Sequence, residues 1–193
     1  KYNKPFISAK IAISKDYFTI NKKEKWITNI FSRKITHLIR SKHDGIISTS
    51  QNINFDNALL NCRIEGLNKY KPDLFIIDLN LKLKKNLLLN KILKKRKTYL
   101  ITYKVNLKKA QTYKKKGYKI IYINSLENKN DFKSLYEKIY KMGYSRVLVE
   151  AGLTFLNTLV KNKLINVLYM FKNNNELKKN GKNNDTIKYL KNI

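Results

Sequence analysis

Ser145-Arg-Val-Leu-Val-Glu-Ala-Gly-Leu-Thr-Phe-Leu-Asn-Thr-Leu-Val-Lys-Asn-Lys163 reads as a strand, a tight corner and a helix. The β-branched and apolar residues up to Val149 are typical of a buried parallel strand. From Phe155 onward the apolar residues recur at helical spacing, which predicts a helix with one apolar face. Between the two lie Glu150, Ala151 and Gly152, where the backbone must turn.

This corner has the properties of a ligand site. The first N–H groups of a helix have no partner within it, so they form an anion site suited to the pyrophosphate of a dinucleotide. Glu150 would lie at the carboxyl end of its strand, where open α/β sheets bind their ligands. The alternative is that the corner only connects a strand to a helix, as it does in most α/β domains.

Length and composition narrow the classes of protein. A chain of 193 residues with 42% hydrophobic and 11% aromatic residues suits one folded domain and not a disordered chain. No apolar run is long enough to cross a membrane, and no secretory pattern opens the chain. The single cysteine, Cys62, excludes an internal disulfide, and a cytoplasmic location is expected. Because the first residue is Lys1 and not Met, we expect a fragment of a longer chain.

The net charge of +29 has two interpretations. It is the usual property of a nucleic-acid-binding protein. However, lysine and asparagine are spread over every segment, whereas a nucleic-acid surface would concentrate charge and favour arginine. We therefore expect no specific nucleic-acid binding. The arginines are few enough to inspect one by one: Arg33, Arg40, Arg63, Arg96 and Arg146.

Short apolar runs alternate with helical patterns along the rest of the chain. This favours an α/β fold with a mostly parallel, doubly wound sheet flanked by helices. We expect one domain over residues 1–172, and an Asn/Lys-rich tail over 173–193 that is weakly ordered or a remnant of the final strands. The predicted strands are Pro5–Ile13, Asp44–Ser50, Asp73–Asp78, Thr98–Tyr103, Tyr118–Ile123, Ser145–Val149 and Asn166–Phe171.

Lys10 stands on the small, polar face of the first strand, which could line a cleft or simply face solvent. A helix is predicted from an N-cap at Thr28 through Lys42. We interpret His37 and His43 as helix-surface residues, too few for a metal site. The apolar stripe of the predicted helix comprises Ile30, Ile35, Leu38 and Ile39.

Several pieces occur in a characteristic order: Lys10-Ile-Ala-Ile-Ser-Lys-Asp16, Trp26-Ile-Thr28, Arg33 and Arg40, Asp56-Asn-Ala-Leu-Leu-Asn-Cys-Arg63, and Val149-Glu-Ala-Gly-Leu-Thr154. Together they resemble the reductase domain of the bifunctional riboflavin-biosynthesis deaminase–reductase family. The resemblance covers residues 5–171 and implies a dihydrofolate-reductase-like fold.

The resemblance also implies roles for individual residues. Lys10 matches the family lysine beside the ribose carbon that receives hydride, so it is the catalytic residue implied. Substrate-binding positions are matched by Arg40, Leu60, Arg63 and Glu150, with the arginines on the phosphate. NADPH-binding positions are matched by Ala12, Ser14, Trp26, Asn52, Asp56, Gly152, Leu153, Thr154, Phe155, Leu156, Asn157 and Thr158.

The activity implied is NADPH-dependent reduction of the ribosyl group of 5-amino-6-(5-phosphoribosylamino)uracil, without a metal. The resemblance further implies a homodimer, and a deaminase domain fused before Lys1. Two alternatives stay open: a degenerate family member with a structural or partner role, and a basic nucleic-acid-binding module. The sequence departs from the family pattern at Tyr17, Glu24, Ala58 and Leu153.

Overall fold

The strands that the apolar runs predict are present in the structure, a computed structural model that describes residues 3–67 and 72–191. Short 3-10 turns occur at Leu88–Ile92, Lys104–Asn106 and Lys178–Asn180. The helices and strands, in chain order, are β1 (Phe6–Ile13), β2 (Ile20–Asn21), α1 (Ile30–Ser41), β3 (Gly45–Thr49), α2 (Ser50–Asp56), β4 (Asp73–Ile77), β5 (Thr98–Tyr103), α3 (Leu107–Lys115), β6 (Lys119–Ile123), α4 (Lys129–Lys141), β7 (Arg146–Val149), α5 (Leu153–Lys161), β8 (Val167–Lys172), β9 (Gly181–Lys182) and α6 (Lys188–Lys191).

Seven strands form one all-parallel sheet in the order β6-β5-β4-β3-β7-β1-β8. This confirms the predicted α/β class. From β3 the chain adds strands outward to β6, and it then returns so that β7 lies between β3 and β1. Ligands of open parallel sheets bind at the carboxyl ends of the strands where the strand order changes direction. The ends of β1, β7 and β3 are therefore the expected place for a site.

Both faces of the sheet are covered, so its inner strands carry apolar side chains in both directions. In β4, the consecutive residues Leu74, Phe75 and Ile76 are all 0% exposed. Phe75 belongs to one core, to which α4 and α5 contribute Phe132 and Leu156. Leu74 and Ile76 belong to the other core, which α1 and α2 cover. No helix in the described residues has the length and apolar character of a membrane span.

Helix α1 begins one residue later than the sequence predicts. Its N-cap is Asn29 and not Thr28, and the Asn29 side-chain oxygen accepts a hydrogen bond from the Ser32 backbone N–H at 2.9 Å. Asparagine is at least as favourable an N-cap residue as threonine, so the sequence alone does not decide which of the two adjacent residues caps the helix. The helix ends at Ser41, close to the predicted end.

The apolar stripe predicted for α1 is not its buried face. Ile39 is buried, but the other members of the stripe are exposed: Ile30, Ile35 and Leu38. The face turned toward the sheet instead carries Thr36 and Arg40. Helical spacing tells which residues share a face, and it does not tell which face points inward.

Residues 173–191 fold back over the loop between β1 and α1. β9 pairs with β2 in a small antiparallel ribbon. The Asp16 carboxylate accepts hydrogen bonds from the backbone N–H groups of Leu177 and Lys178, at 3.0 and 2.8 Å. The Asn183 side chain accepts the backbone N–H of Thr19 at 2.8 Å. The domain boundary proposed at residue 172 stays a prediction, and we call residues 173–191 the strap.

His43 is buried, which corrects the interpretation of it as a helix-surface residue. It lies between α1 and β3, where its Nδ1 is 2.7 Å from the carbonyl oxygen of Ile39 and its Nε2 is 3.0 Å from the hydroxyl of Ser8. Because a carbonyl can only accept, Nδ1 carries the proton, and Nε2 accepts from the Ser8 hydroxyl in the neutral ring. Burial, with a further contribution from Arg146, lowers the pKa of His43 below its ordinary value.

We predict that His43 makes the protein less stable as the pH falls from 7 to 5. Since the folded-state pKa is lowered, the unfolded chain takes up this proton at a higher pH, and the stability that His43 contributes above about pH 6.5 is lost on acidification. Thermal unfolding followed over this pH range should show a shallower decline for His43→Gln than for the wild type. Equal slopes would show that His43 is not a source of the acid sensitivity.

Candidate active site

The site is built where β7 ends, because Glu150 is the first residue after that strand. Its backbone N–H donates to the Ile47 carbonyl at 2.9 Å, and its carbonyl accepts from the Ser48 hydroxyl at 2.7 Å. Asn52, in the first turn of α2, donates to the Ser48 hydroxyl at 3.3 Å. These contacts fix the backbone of Glu150 at the point where the strand order changes direction.

The carboxylate of Glu150 forms a bidentate ion pair with Arg40 of α1. Arg40 Nε donates to Oε1 at 2.6 Å and Nη2 donates to Oε2 at 2.8 Å. Both residues are buried, at 8% and 9% exposure. Burial alone would raise the pKa of Glu150, but the charge and hydrogen bonds of Arg40 outweigh burial and hold that pKa below its ordinary value. The pair therefore stays ionised inside the protein.

Lys10 projects from the neighbouring strand β1 into the surroundings of this pair. Its Nζ lies 5.5 Å from the centre of the Phe171 ring on β8. Burial lowers the pKa of Lys10, and the Arg40 charge lowers it further, against opposing contributions from Glu150 and Asp56. An ammonium group with a lowered pKa gives up its proton more readily near neutral pH, which suits a general acid. The cleft interpretation of this strand face is thus supported over the solvent-face alternative.

The backbone carbonyl of Asn61 accepts two hydrogen bonds from α1. Arg40 Nη1 donates to it at 3.0 Å, and His37 Nδ1 lies 2.9 Å from it. His37 is half-buried, which differs from the surface position expected of it, and burial together with the charges of Arg40 and Arg63 lowers its pKa. The segment after α2 is thereby attached to the same helix that holds Glu150.

Leu60 and Arg63 lie in this segment, which has neither helix nor strand. Leu60 is buried and has a φ of 50°, in the left-handed region that an L residue adopts at a cost. Arg63 is exposed. Of the four expected substrate residues, the structure thus pairs Arg40 with Glu150. Arg63 lies on the surface, near enough to His37 to act on it electrostatically, and Leu60 is buried.

The N-terminus of α5 is open. Gly152 is its N-cap and provides no side-chain hydrogen bond, and a Cβ placed on Gly152 would have no atom within 4 Å. Gly152 and Thr154 are exposed. Because the first N–H groups of the helix are not capped by a side chain, this corner is able to bind an anion.

The other expected cofactor positions on α5 have different surroundings. Leu153 and Leu156 are buried in the core, so only their backbone could contact a ligand. The ring centres of Phe155 and Phe132 are 5.9 Å apart, and the Thr158 hydroxyl donates a hydrogen bond within its own helix. Asn157 is buried and donates to the strap at the Thr186 carbonyl, at 2.7 Å.

The expected cofactor positions in the first half of the chain lie on β1, on α2 and in the loop between β1 and α1. Ala12 shares the strand face of Lys10, while Asn52 and Asp56 on α2 lie near Glu150 and Lys10, respectively. Ser14 is buried and donates to Asp16, and so orders the loop after β1. Trp26 is 49% exposed, and its ring lies 5.0 Å from the Arg33 guanidinium.

Residues missed by sequence reasoning include His37, Ser48 and Asn61. The hydroxyl residues that end the predicted strand Asp44–Ser50 are suited to contact a ligand, and Ser48 is one of them, although it is not among the site residues that the resemblance implies. Asn61 acts through its backbone carbonyl, which no side-chain pattern reveals. No group of three or more metal-ligating side chains occurs in residues 3–67 or 72–191.

Comparison with known proteins gives a match to a family model and a relative in sequence. The family model described as the RibD C-terminal domain matches residues 5–172. The riboflavin biosynthesis protein RibD of Buchnera aphidicola (subspecies Baizongia pistaciae) is 29% identical over 185 residues, covering 86% of this chain and 47% of that protein. The chain thus spans about half the length of this curated relative.

Solved structures resemble the whole domain. RibD of Acinetobacter baumannii has a TM-score of 0.78 at 19% identity, covering 94% of this chain and 49% of that one. The riboflavin biosynthesis reductase Rib7 of Saccharomyces cerevisiae has a TM-score of 0.73 at 22% identity, covering 96% and 80%. At these identities the likeness shows the fold, which is the dihydrofolate-reductase-like fold expected from the sequence.

We predict that Glu150→Gln destabilises the protein by about 3 kcal/mol, because removing one partner of a buried pair leaves the other charge without compensation. The matched control is Glu176→Gln, which breaks the exposed ion pair of Glu176 with Lys15. That change should cost under about 1 kcal/mol. Denaturant unfolding measures both, and similar small losses would argue that the Arg40–Glu150 pair is not held as described.

Proposed function

Because the chain belongs to the RibD C-terminal domain family, we propose that it is an NADPH-dependent reductase of riboflavin biosynthesis. Its substrate would be 5-amino-6-(5-phosphoribosylamino)uracil, whose ribosyl group becomes ribityl. The observation that carries this proposal is that Lys10, with a lowered pKa, is level with Glu150 of the buried Arg40–Glu150 pair, since Ala9 of β1 is the register partner of Val149, the last residue of β7. The uncapped end of α5 follows the same strand as Glu150.

The surroundings of α5 fit a dinucleotide. An exposed glycine with free space around it lets a phosphate approach the backbone closely, and the helix N-terminus favours its negative charge. Gly152 and the backbone of residues 153–156 would hold the pyrophosphate, while Thr154 is exposed and able to donate a hydroxyl. NADPH supplies the hydride when bound, and the protein supplies its position.

Lys10 would donate a proton to the ribose oxygen as the sugar ring opens and the ribose carbon accepts hydride. The positive charge of Lys10 also stabilises negative charge that develops on that oxygen. Its lowered pKa makes proton donation easier than for a solvated lysine. Asp56 and Glu150 favour the protonated form, so Lys10 keeps a proton to give.

Glu150 would bind the substrate pyrimidine through oxygen lone pairs that Arg40 leaves free. A carboxylate has about four acceptor positions, of which Arg40 occupies one on each oxygen. Arg40 fixes the carboxylate in place and keeps it ionised, so no reorganisation is needed when the substrate arrives. The guanidinium has five N–H donors, and three are used by Glu150 and Asn61.

Arg63 would bind the substrate phosphate. It is exposed and acts electrostatically on His37, which supports a role for Arg63 at the rim of the proposed site. A planar guanidinium binds a phosphate in a bidentate manner, which an ammonium cannot reproduce. Arg40 would contribute its remaining donors to the same phosphate.

The relatives suggest the wider setting. A solved protein of Thermotoga maritima that resembles this domain is described as a deaminase and a 5-amino-6-(5-phosphoribosylamino)uracil reductase, and this chain covers 47% of it. We propose that this domain works together with a deaminase domain, in a cytoplasmic homodimer.

We predict that Lys10→Ala abolishes most turnover while NADPH binds within a few-fold of wild-type affinity, since a group used mainly in the transition state affects kcat. Trp26 is the only tryptophan, so quenching of its fluorescence on titration with NADPH reports binding. Lys15→Ala, at an exposed lysine five residues further on, is the control and should leave both quantities unchanged. Failure of NADPH to bind the wild type would refute the proposed function, and normal turnover of Lys10→Ala would remove Lys10 from it.

We predict that Arg63→Lys raises the substrate KM at least several-fold, with NADPH affinity and thermal stability little changed. The loss should amount to about 1–3 kcal/mol, because the bidentate contact becomes a single one. The control is Arg146→Lys, at an exposed arginine beside Phe6 at the other end of the sheet. If both changes affect KM equally, Arg63 does not bind the phosphate.

A further inference from the structure

Arg96 is a buried cation whose role the proposed function does not include. It precedes β5 by two residues and is only 4% exposed. No carboxylate lies within ion-pair distance of it in the described residues, where the ion pairs are Lys15–Glu176 and Arg40–Glu150. Burial lowers its pKa to about 10, partly offset by Asp73, so it remains charged at neutral pH. Keeping such a charge inside the protein is costly unless it makes specific hydrogen bonds.

The guanidinium of Arg96 donates to three backbone carbonyls. Nε donates to Pro72, Nη1 donates to Leu59, and Nη2 donates to Leu60 at 2.9 Å. Hydrogen bonds from a charged donor are stronger than neutral ones, and a low-dielectric setting strengthens them further. One side chain thus connects the residue before β4 to two consecutive carbonyls of the segment after α2.

These carbonyls belong to the irregular segment over residues 57–63. Such a segment has no ladder or helical partners for its backbone groups, which must be satisfied in other ways when buried. Leu60 adopts its unfavourable φ of 50° here, and a backbone in this region persists only where its surroundings hold it. Arg96 holds the segment at Leu59 and Leu60, while Arg40 and His37 hold it at Asn61, one residue later.

We propose that Arg96 is a positioning residue for substrate binding. By fixing the carbonyls of Leu59 and Leu60, it sets the course of the segment that carries Arg63, the proposed ligand of the substrate phosphate. Arg96 itself donates to the backbone and acts on the substrate only through this segment. The inference rests on the proposed function, since it assigns Arg63 to the substrate phosphate.

Arg96→Lys tests this, because one ammonium cannot reach the same three carbonyls in a plane. We expect the substrate KM to rise at least five-fold, with kcat and the NADPH affinity, read from Trp26 fluorescence, within two-fold of the wild type. Arg96→Gln, which retains an amide donor, is the second variant. If both variants lose NADPH binding together with the fold, Arg96 supports the fold as a whole and the proposal is wrong.

A double-mutant cycle with Arg63→Lys separates positioning from general weakening. If Arg96 acts through Arg63, Arg96→Lys should raise KM far less in the Arg63→Lys background than in the wild type. If the two substitutions raise KM by independent factors that simply multiply in the double variant, the proposal is wrong.

Amide hydrogen exchange provides a readout that does not depend on turnover. In Arg96→Lys, residues 58–63 should exchange at least ten-fold faster, while β4 and β5 keep their protection. This outcome supports the positioning role even if the wild type does not reduce the proposed substrate, so failure of the proposed function is distinguishable. Unchanged exchange over residues 58–63 would exclude the role.

Discussion

Glu150 carries its charge where little water reaches, and the two hydrogen bonds from Arg40 make this possible. An isolated carboxylate would be neutralised by protonation at such a place. The pair joins the end of β7 to the last turn of α1, and Asn61 adds the segment after α2 to the same contact. Three parts of the chain that are distant in sequence therefore meet at the Arg40 guanidinium. The direction in which α1 faces follows from this requirement.

The orientation of α1 shows what the sequence alone can and cannot predict. Apolar runs separated by helical patterns predict both the strands and their parallel arrangement. The sheet contains these strands, and they are parallel. The helix was found as well, but its apolar residues Phe31, Ile35 and Leu38 face outward because Arg40 and Thr36 must face inward. A periodic pattern contains no information about a partner 110 residues away. His43 was misplaced for the same reason, since its partner Ser8 lies on a strand that comes 35 residues earlier.

The candidate site was found in sequence mainly through side chains with distinctive chemistry. Lys10, Glu150 and Gly152 stand at ends or faces of strands, where topology makes a site expected. Backbone groups cannot be predicted in this way, because every residue has them, and the carbonyl of Asn61 is an example. The chain has 42 lysine and arginine residues, yet the arginines that the fold buries are Arg40 and Arg96. Each uses a planar, multidentate donor that lysine lacks, so burial distinguishes these two cations from the solvated majority.

The strap gives the loop between β1 and α1 an unusual mechanical property. The loop from Ser14 to Ile27 is joined to it by Asp16, by Asn183, by the β2–β9 ribbon and by the side chain of Asn173 on Ile27. The loop is therefore fastened along its length and not only at its ends. It cannot swing about two hinge residues, because outward movement requires these bonds to break together. Outward movement of this loop is therefore a cooperative, partial unfolding event, and its free-energy cost depends on the stability of the strap, residues 173–191.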